Sequence, residues 1–407
     1  MATADRAAVG VIGAGVKTPA GESLDELWKN LLGGRAGMSL YRHPELAGRE
    51  PVVVGEVSGY DPGRYVTVPE ARRLGRVHLL AIGAADDALS ACPQRPPPHR
   101  CAVVCGIGYG AADIVEKTNR TLAATGTRGL SPLAIPLSMI NSVAAHLAMR
   151  YGFTGRCLTV SSACASGADA IGYGAELVRH GEADLVLAGG ADALLARVAF
   201  ESFLRTGALS RTADPALACR PFDRDRDGFV LAEGAGFVVL KRLRRGGDDG
   251  VLGRIAGYAA NCDAHHIVAP RDDGLMAARC AEAALADARV APSLIGHVNA
   301  HGTSTVLNDR AEARALTTLF SGDPPPATAV KSVTGHMIGG SGAVEAIVTL
   351  LSLRDGMVPP VAGLRQPDPD LGLDLVVGAP RAVGGQYAIS NSFGFGGHNT
   401  VLVLAAP

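Results

Sequence analysis

The sequence predicts an α/β fold built from two similar halves. Three observations carry that expectation. Short β-branched or apolar runs alternate with alanine-rich stretches along the whole chain, as strands alternate with helices. The order of these runs in the first half recurs in the second. At 407 residues, with 47% hydrophobic and 19% charged, the chain exceeds an ordinary single core and can bury a large interior. Its 52 glycines follow no collagen period, so they serve turns and close backbone approaches.

Residues 9–13 (VGVIG) read as a strand, and 23–32 as a helix with Ser23 as N-cap and Gly33-Gly34 as its stop. Residues 70–91 read as one long helix and 101–105 (CAVVC) as a buried strand. Residues 158–160 form a strand that runs through Ser161–Cys164 into a helix over 165–179. A further strand spans 185–188, and 229–231 and 236–240 look paired. In the second half, 253–260 resembles the strand 9–13, and 275–288 resembles the helix 77–91. His297 to Ala300 stands where Ala102 to Cys105 stood. Val330 leads through a glycine-rich turn into a helix over 341–353, as Val160 led into its own. Strands 388–390 and 400–404 close the half. The charged, glycine-rich stretch 241–250 marks the boundary, dividing 1–249 from 250–407.

Composition excludes several classes. A formal net charge of −1 gives no support to a general nucleic-acid binder. No 18-residue apolar window suggests a membrane span. The opening MATADR has no basic segment leading into an apolar one, so no secretory leader and a cytoplasmic location are expected. The eight cysteines lack paired CxxC spacing, so neither a metal site nor a disulfide framework is expected. The proline-rich stretches 93–100 and 321–326 read as stiff loops.

Four segments carry chemistry. In LTVSSACASGADAIG (158–172), a strand runs through small residues to Cys164 and then a helix, the physics of a nucleophile elbow. A helix N-terminus stabilises a thiolate there, able to attack a thioester. In VNAHGTSTVLND (298–309), His301 ends an apolar strand, followed by Gly302 and the hydroxyls of Thr303, Ser304 and Thr305. In VKSVTGHMIGGSGAVE (330–345), His336 sits in a glycine-rich turn between Lys331 and Glu345. This turn lacks the GxxxxGK[ST] and GxGxxG patterns of nucleotide loops. In SNSFGFGGHN (390–399), Phe393 and Phe395 alternate with glycines in a loop able to move. Each segment alone has an ordinary alternative: a buried structural cysteine, a satisfied turn histidine, a hairpin with packing aromatics.

Together and in this order the four segments resemble the β-ketoacyl-acyl-carrier-protein synthases, the decarboxylating condensing enzymes of fatty-acid and polyketide synthesis. The resemblance extends from VGVIGAGVKTPAG through RPFDRDRDGFVLAEGAG (220–236) to the last strand. It implies a thiolase-like α/β fold of five αβαβα layers, built from two duplicated halves and usually dimeric. It implies Cys164 as acyl acceptor, with its N–H and that of Phe395 as a first oxyanion hole. His301 and His336 would hold the malonyl thioester oxygen, with Lys331 and Glu345 ordering them. Thr303 and Thr305 match hydroxyls along a pantetheine arm, and Asp263 an aspartate on a second mobile loop. Ile107 and Tyr109 match acyl-pocket positions, and Arg72, Arg73 and Arg76 a rim for an acidic acyl carrier protein.

By the same resemblance, no cofactor is expected beyond the phosphopantetheine that the carrier protein brings. The partner subunit would be a second copy or a ketosynthase-like chain-length partner. Two histidines argue against a thiolase, which pairs one histidine with a second cysteine. A retained Cys164 argues against a silent, pocket-shaping subunit. The arginine-rich composition and Asp169 in the elbow helix favour a type II polyketide pathway over housekeeping fatty-acid synthesis. The chain departs from the pattern at Gly75, where relatives commonly carry aspartate, and at His398, where threonine is common.

Overall fold

The computed structural model describes residues 7–41, 52–243 and 250–407. Of the expected boundary stretch, residues 244–249 lie outside the described residues.

Ten strands hydrogen-bond into one sheet: β1 (Val9–Lys17), β2 (Cys101–Gly106), β3 (Cys157–Val160), β4 (Leu185–Asp192), β5 (Gly234–Arg242), β6 (Gly253–Cys262), β7 (Ile295–Asn299), β8 (Ala327–Thr328), β9 (Tyr387–Gly394) and β10 (His398–Ala405). Their spatial order is β8-β7-β9-β10-β6-β1-β5-β4-β2-β3. Read outward from the centre, each half runs in the same sequence of equivalents. β2 pairs parallel with β3 and β4, as β7 does with β8 and β9. β5 pairs antiparallel with β4 and β1, as β10 does with β9 and β6. The halves meet where β1 and β6 pair antiparallel through Val9–Ile255, Gly10–Arg254 and Val11–Gly253. The duplication read from the sequence is therefore a duplication of topology.

The longer helices are α1 (Leu24–Leu32), α2 (Arg76–Ser90), α3 (Ala112–Thr125), α4 (Ser142–Tyr151), α5 (Ser166–Arg179), α6 (Arg197–Thr206), α7 (Leu275–Ala288), α8 (Val306–Leu319) and α9 (Ser341–Asp355). α5 and α9 pack on each other and on strands of both halves, forming the middle layer. α2 covers β1 and β5 from outside, as α7 covers β6 and β10. The result is the five-layered αβαβα arrangement. Residues 341–352 of α9 are buried on every side, as a helix between two β layers must be. The outer helices approach their strands over glycine: a Cβ on Gly15 would stand 2.1 Å from Ala84 O, and one on Gly257 2.4 Å from Ala284 O.

Ser23 caps α1 as expected, accepting from the Glu26 N–H. The long helix expected over 70–91 is instead a short turn, Val68–Ala71, and then α2. Gly75 separates them, extended at φ −77° and ψ 160° and without a capping side chain. Asp113, at the start of α3, supplies the missing carboxylate by accepting the Arg76 N–H at 2.9 Å. Residues 229–231 do not pair with 236–240; Phe229 and Leu231 bridge to Leu209 and His336 instead. Among the described residues no helix is long and apolar enough to cross a membrane.

Candidate active site

β3 delivers the nucleophile elbow. The strand ends at Val160, and a tight turn over Ala163–Ala165 leads into α5. Ala163 takes φ +52°, a left-handed conformation that a side chain resists. Hydrogen bonds hold that strain in place. Ser166 Oγ accepts the Ser162 N–H at 3.0 Å and donates to Ala163 O at 2.7 Å. Ser162 Oγ donates to Asp169, whose other oxygen accepts the Tyr258 hydroxyl at 3.0 Å and the Thr400 hydroxyl at 2.6 Å. Asp169 thus ties the elbow to β6 and β10 of the other half. Gly394 lies against the turn so closely that a Cβ would stand 2.7 Å from Ser162 O and 3.1 Å from Cys164 N.

Cys164 is buried at 5% exposure and faces a cavity of about 370 Å³. Burial pushes its thiol up to about 11, against the Lys331 charge and the Phe395 N–H that pull it down. The lowered thiolate expected at a helix N-terminus is therefore absent at rest: desolvation outweighs the cations and amides.

The same cavity is lined by His301 and His336, whose ring centroids stand 5.5 Å apart at 84°. His301 follows β7. Glu312 on α8 pins its loop, accepting the N–H groups of His301 and Gly302, each at 2.8 Å, and the Asn391 side chain at 3.0 Å. Lys331 Nζ lies 3.1 Å from His301 Nδ1, donates to His301 O at 2.7 Å, and pairs with Glu345. His336 is fixed through its backbone to the segment 230–232. Its Nδ1 lies 3.0 Å from Ser341 Oγ, which also accepts the Met337 N–H at 2.9 Å.

The Lys331 contact fixes the tautomer of His301. An ammonium can only donate to Nδ1 of His301, so the proton of that ring sits on Nε2. Ser341 Oγ has a hydrogen to donate to Nδ1 of His336, and in that orientation the proton of the second ring sits on Nε2 as well. Burial and the Lys331 charge hold both imidazoles well below the usual histidine range. Two neutral rings with Nε2–H donors therefore share one cavity, walled by Phe229 at 5.3 Å from His336 and Phe393 at 5.7 Å from His301.

The remaining expected residues divide. Thr303 and Thr305 line the cavity, their hydroxyls 2.9 Å apart, and Thr305 also caps α8. Phe395 and Asp263 line it too. Asp263 braces two loops, accepting the Asn399 side chain at 2.7 Å and the Arg271 N–H at 2.9 Å. Ile107 and Tyr109 are not part of the cavity wall: Ile107 is wholly buried, Tyr109 is 50% exposed, and Ile338 occupies the wall beside Cys164. Arg72 and Arg73 are exposed. Arg76 is half-buried, forming an ion pair with Glu233 at 2.7 Å and donating to Val57 O. Glu312, Ser341 and Asp169 escaped the sequence reading of the site's supports, since single polar residues in helices carry no periodic signal.

The comparisons agree with this architecture. The chain matches the family "Beta-ketoacyl synthase, N-terminal domain" over residues 6–246 and "Beta-ketoacyl synthase, C-terminal domain" over 252–365. It is 36% identical to 3-oxoacyl-[acyl-carrier-protein] synthase 2 of Synechocystis sp., covering 99% of both chains. It is also 36% identical to the enzyme of that name from Vibrio cholerae, covering 97% of this chain and 98% of that one. Among solved structures, the ishigamide ketosynthase/chain length factor superposes with a TM-score of 0.90 at 31% identity, covering 99% of this chain and 100% of that one. A type II PKS ketosynthase in complex with its acyl-carrier protein and bound to the hexaketide superposes at 0.89 with 29% identity, covering 99% and 100%. The fold and the matched families define a thiolase-fold condensing enzyme. The chain belongs to the β-ketoacyl synthase family, and it is an acyltransferase of the ketosynthase type.

Proposed function

We propose that Cys164, His301 and His336 carry out a decarboxylative Claisen condensation, and that the product serves a type II polyketide pathway. Cys164 takes an acyl group from an acyl carrier protein: its sulfur attacks the thioester carbon, and the thiol proton leaves with the carrier's sulfur. The Cys164 and Phe395 N–H groups stabilise the oxyanion of that step. Malonyl-carrier protein then enters, its thioester oxygen accepting Nε2–H from both histidines. The carboxylate departs as CO2, and its bonding electrons form an enolate that the two donors stabilise. The enolate carbon attacks the acyl-Cys164 thioester and expels the sulfur, which takes up one proton. The chain grows by two carbons.

One observation carries this reading: a cysteine and two neutral, donor-poised histidines face a single cavity. The same convergence disfavours a silent, pocket-shaping role, which would leave that machinery without use. Lys331 and Glu345 act as positioning residues. Thr303 and Thr305 guide the carrier's phosphopantetheine arm, the one prosthetic group the reaction uses. Arg72 and Arg73 face the acidic carrier protein.

The unit works as a dimer, with a second copy or a chain-length partner. The edge strand β3 and the exposed apolar side chains of Ile135, Met139, Ile140 and Met149 support a partner surface. The halves divide at 1–249 and 250–407, and the enzyme works in the cytoplasm. Housekeeping fatty-acid synthesis is the second reading, favoured by the names of the 36%-identical relatives.

Intact-mass measurement of acyl adducts from a panel of acyl-carrier proteins tests both levels. Cys164→Ala should lose every adduct and all condensation. Full condensation by that variant would overturn the mechanism. Adducts only from saturated acyl groups would overturn the polyketide assignment.

A further inference from the structure

Asp192 closes β4 and is wholly buried, yet no step above uses it. Its carboxylate accepts four main-chain N–H groups: Oδ2 from Gly108 and Gly339, each at 2.8 Å, and Oδ1 from Tyr109 at 3.1 Å and Gly110 at 3.0 Å. The two segments belong to different halves. Residues 108–110 follow β2, whereas Gly339 lies in the turn between His336 and α9. Their packing leaves no room for side chains: a Cβ on Gly339 would stand 2.6 Å from Asp192 Oδ2, and one on Gly108 2.7 Å from Ile338 Cγ2. Ile338 takes φ +48°, which is strained for a β-branched residue, and it lines the cavity with Cys164. The amide that follows it, that of Gly339, is the one Asp192 holds.

We propose that Asp192 is a positioning residue for the condensation, its buried carboxylate clamping Ile338 against Cys164 by holding main-chain amides of both halves. The proposal rests on the reading of Cys164 as the acyl acceptor. Four N–H donors replace the carboxylate's hydration shell. Burial still pushes Asp192 up to about 6, so it is ionised at neutral pH. Its charge adds to burial in raising the thiols of Cys105 and Cys164. An asparagine keeps the shape but turns an NH2 group toward one of the two amide pairs, and it removes the charge.

The test compares Asp192→Asn and Asp192→Glu by the pH dependence of Cys164 alkylation with iodoacetamide, read by intact mass, and by condensation kinetics. Asp192→Asn should alkylate about threefold faster than the parent at each pH below the plateau, since a nearby negative charge is gone. Its condensation kcat should fall. Asp192→Glu should return alkylation to the parental rate, which a loss of packing alone would not do. An Asp192→Asn alkylation profile that overlays the parent, or undiminished condensation, overturns the proposal.

Should Asp192→Asn fail to fold, amide exchange in the parent decides. After correction for intrinsic rates, protection of residues 108–110 and of Gly339 should fall together as pH drops through 6. Independent exchange of the two segments overturns the clamp. Alkylation and exchange need no turnover, so their failure is distinguishable from failure of the proposed reaction.

Discussion

Lys331 Nζ lies 3.1 Å from His301 Nδ1, so an ammonium, not a carboxylate, backs the ring that faces the substrate cavity. A carboxylate there would favour an imidazolium and a general base. The ammonium opposes protonation and leaves Nε2–H as a donor, which suits stabilising an enolate oxygen.

Removing Lys331 should therefore act on decarboxylation first. Lys331→Met should cut CO2 release from malonyl-carrier protein by about 10²–10³, the usual cost of one oxyanion donor, while Cys164 acylation falls much less. It also strands Glu345 in the interior, so denaturant unfolding should show a loss of about 3–5 kcal/mol. Ser341→Ala, which frees the His336 proton to move between nitrogens, should lower CO2 release without that stability loss. Equal losses in acylation and CO2 release by both variants would contradict the division of labour.

The Cys164 thiol, raised to about 11, is mostly protonated at neutral pH. Its alkylation rate should climb about tenfold per pH unit from 7 to 10 without a plateau. A plateau near pH 7 would show that the helix end outweighs burial after all.

Acid should destabilise the fold through buried histidines. His78 and His297 are pushed down to about 4, and His301 and His336 lie well below the usual value. Each is neutral when folded but binds a proton when unfolded below about pH 6.5. Asp192 and Asp309, raised to about 6, work in the opposite direction, binding protons in the folded state. His146 is lowered as well, and Glu312 and Glu345 are raised, so five histidines oppose four carboxyls and stability should fall modestly as pH is lowered from 6.5 to 5. Denaturant midpoints that rise on acidification would refute this balance.

Gly75 and Asp113 offer a double-mutant test of a transferred helix cap. Asp113→Ala should cost about 1 kcal/mol by leaving the α2 N-terminus uncapped. Gly75→Asp alone should also destabilise, because its Cβ would stand 2.9 Å from Asp113 Oδ1. Combining the two should recover most of the loss, a non-additivity measurable by thermal unfolding.

The strands and the middle helices were legible because both of their faces are buried and glycine-punctuated apolar runs have few other readings. The elbow at Cys164 and the histidines at 301 and 336 were legible because small or glycine-rich neighbours mark sharp turns. The break before α2 was not, since Gly75 is compatible with a helix until Asp113 of another helix claims the Arg76 amide. The ion pair of Arg76 was not legible either, because its partner Glu233 is 157 positions away. Asp192 left one trace, an acid ending the otherwise apolar run LVLAGGAD. A charge in such a run is expensive unless something receives it. What receives it comes from both halves, and no local pattern reports that.

Asp169 holds Ser162 on one side and Tyr258 and Thr400 on the other. The strained turn before the sulfur is thus braced by a strut footed in the opposite half. Shear along the seam would pull on the turn that carries the reactive atom, so the reactivity of this thiol reports how well the two halves are joined.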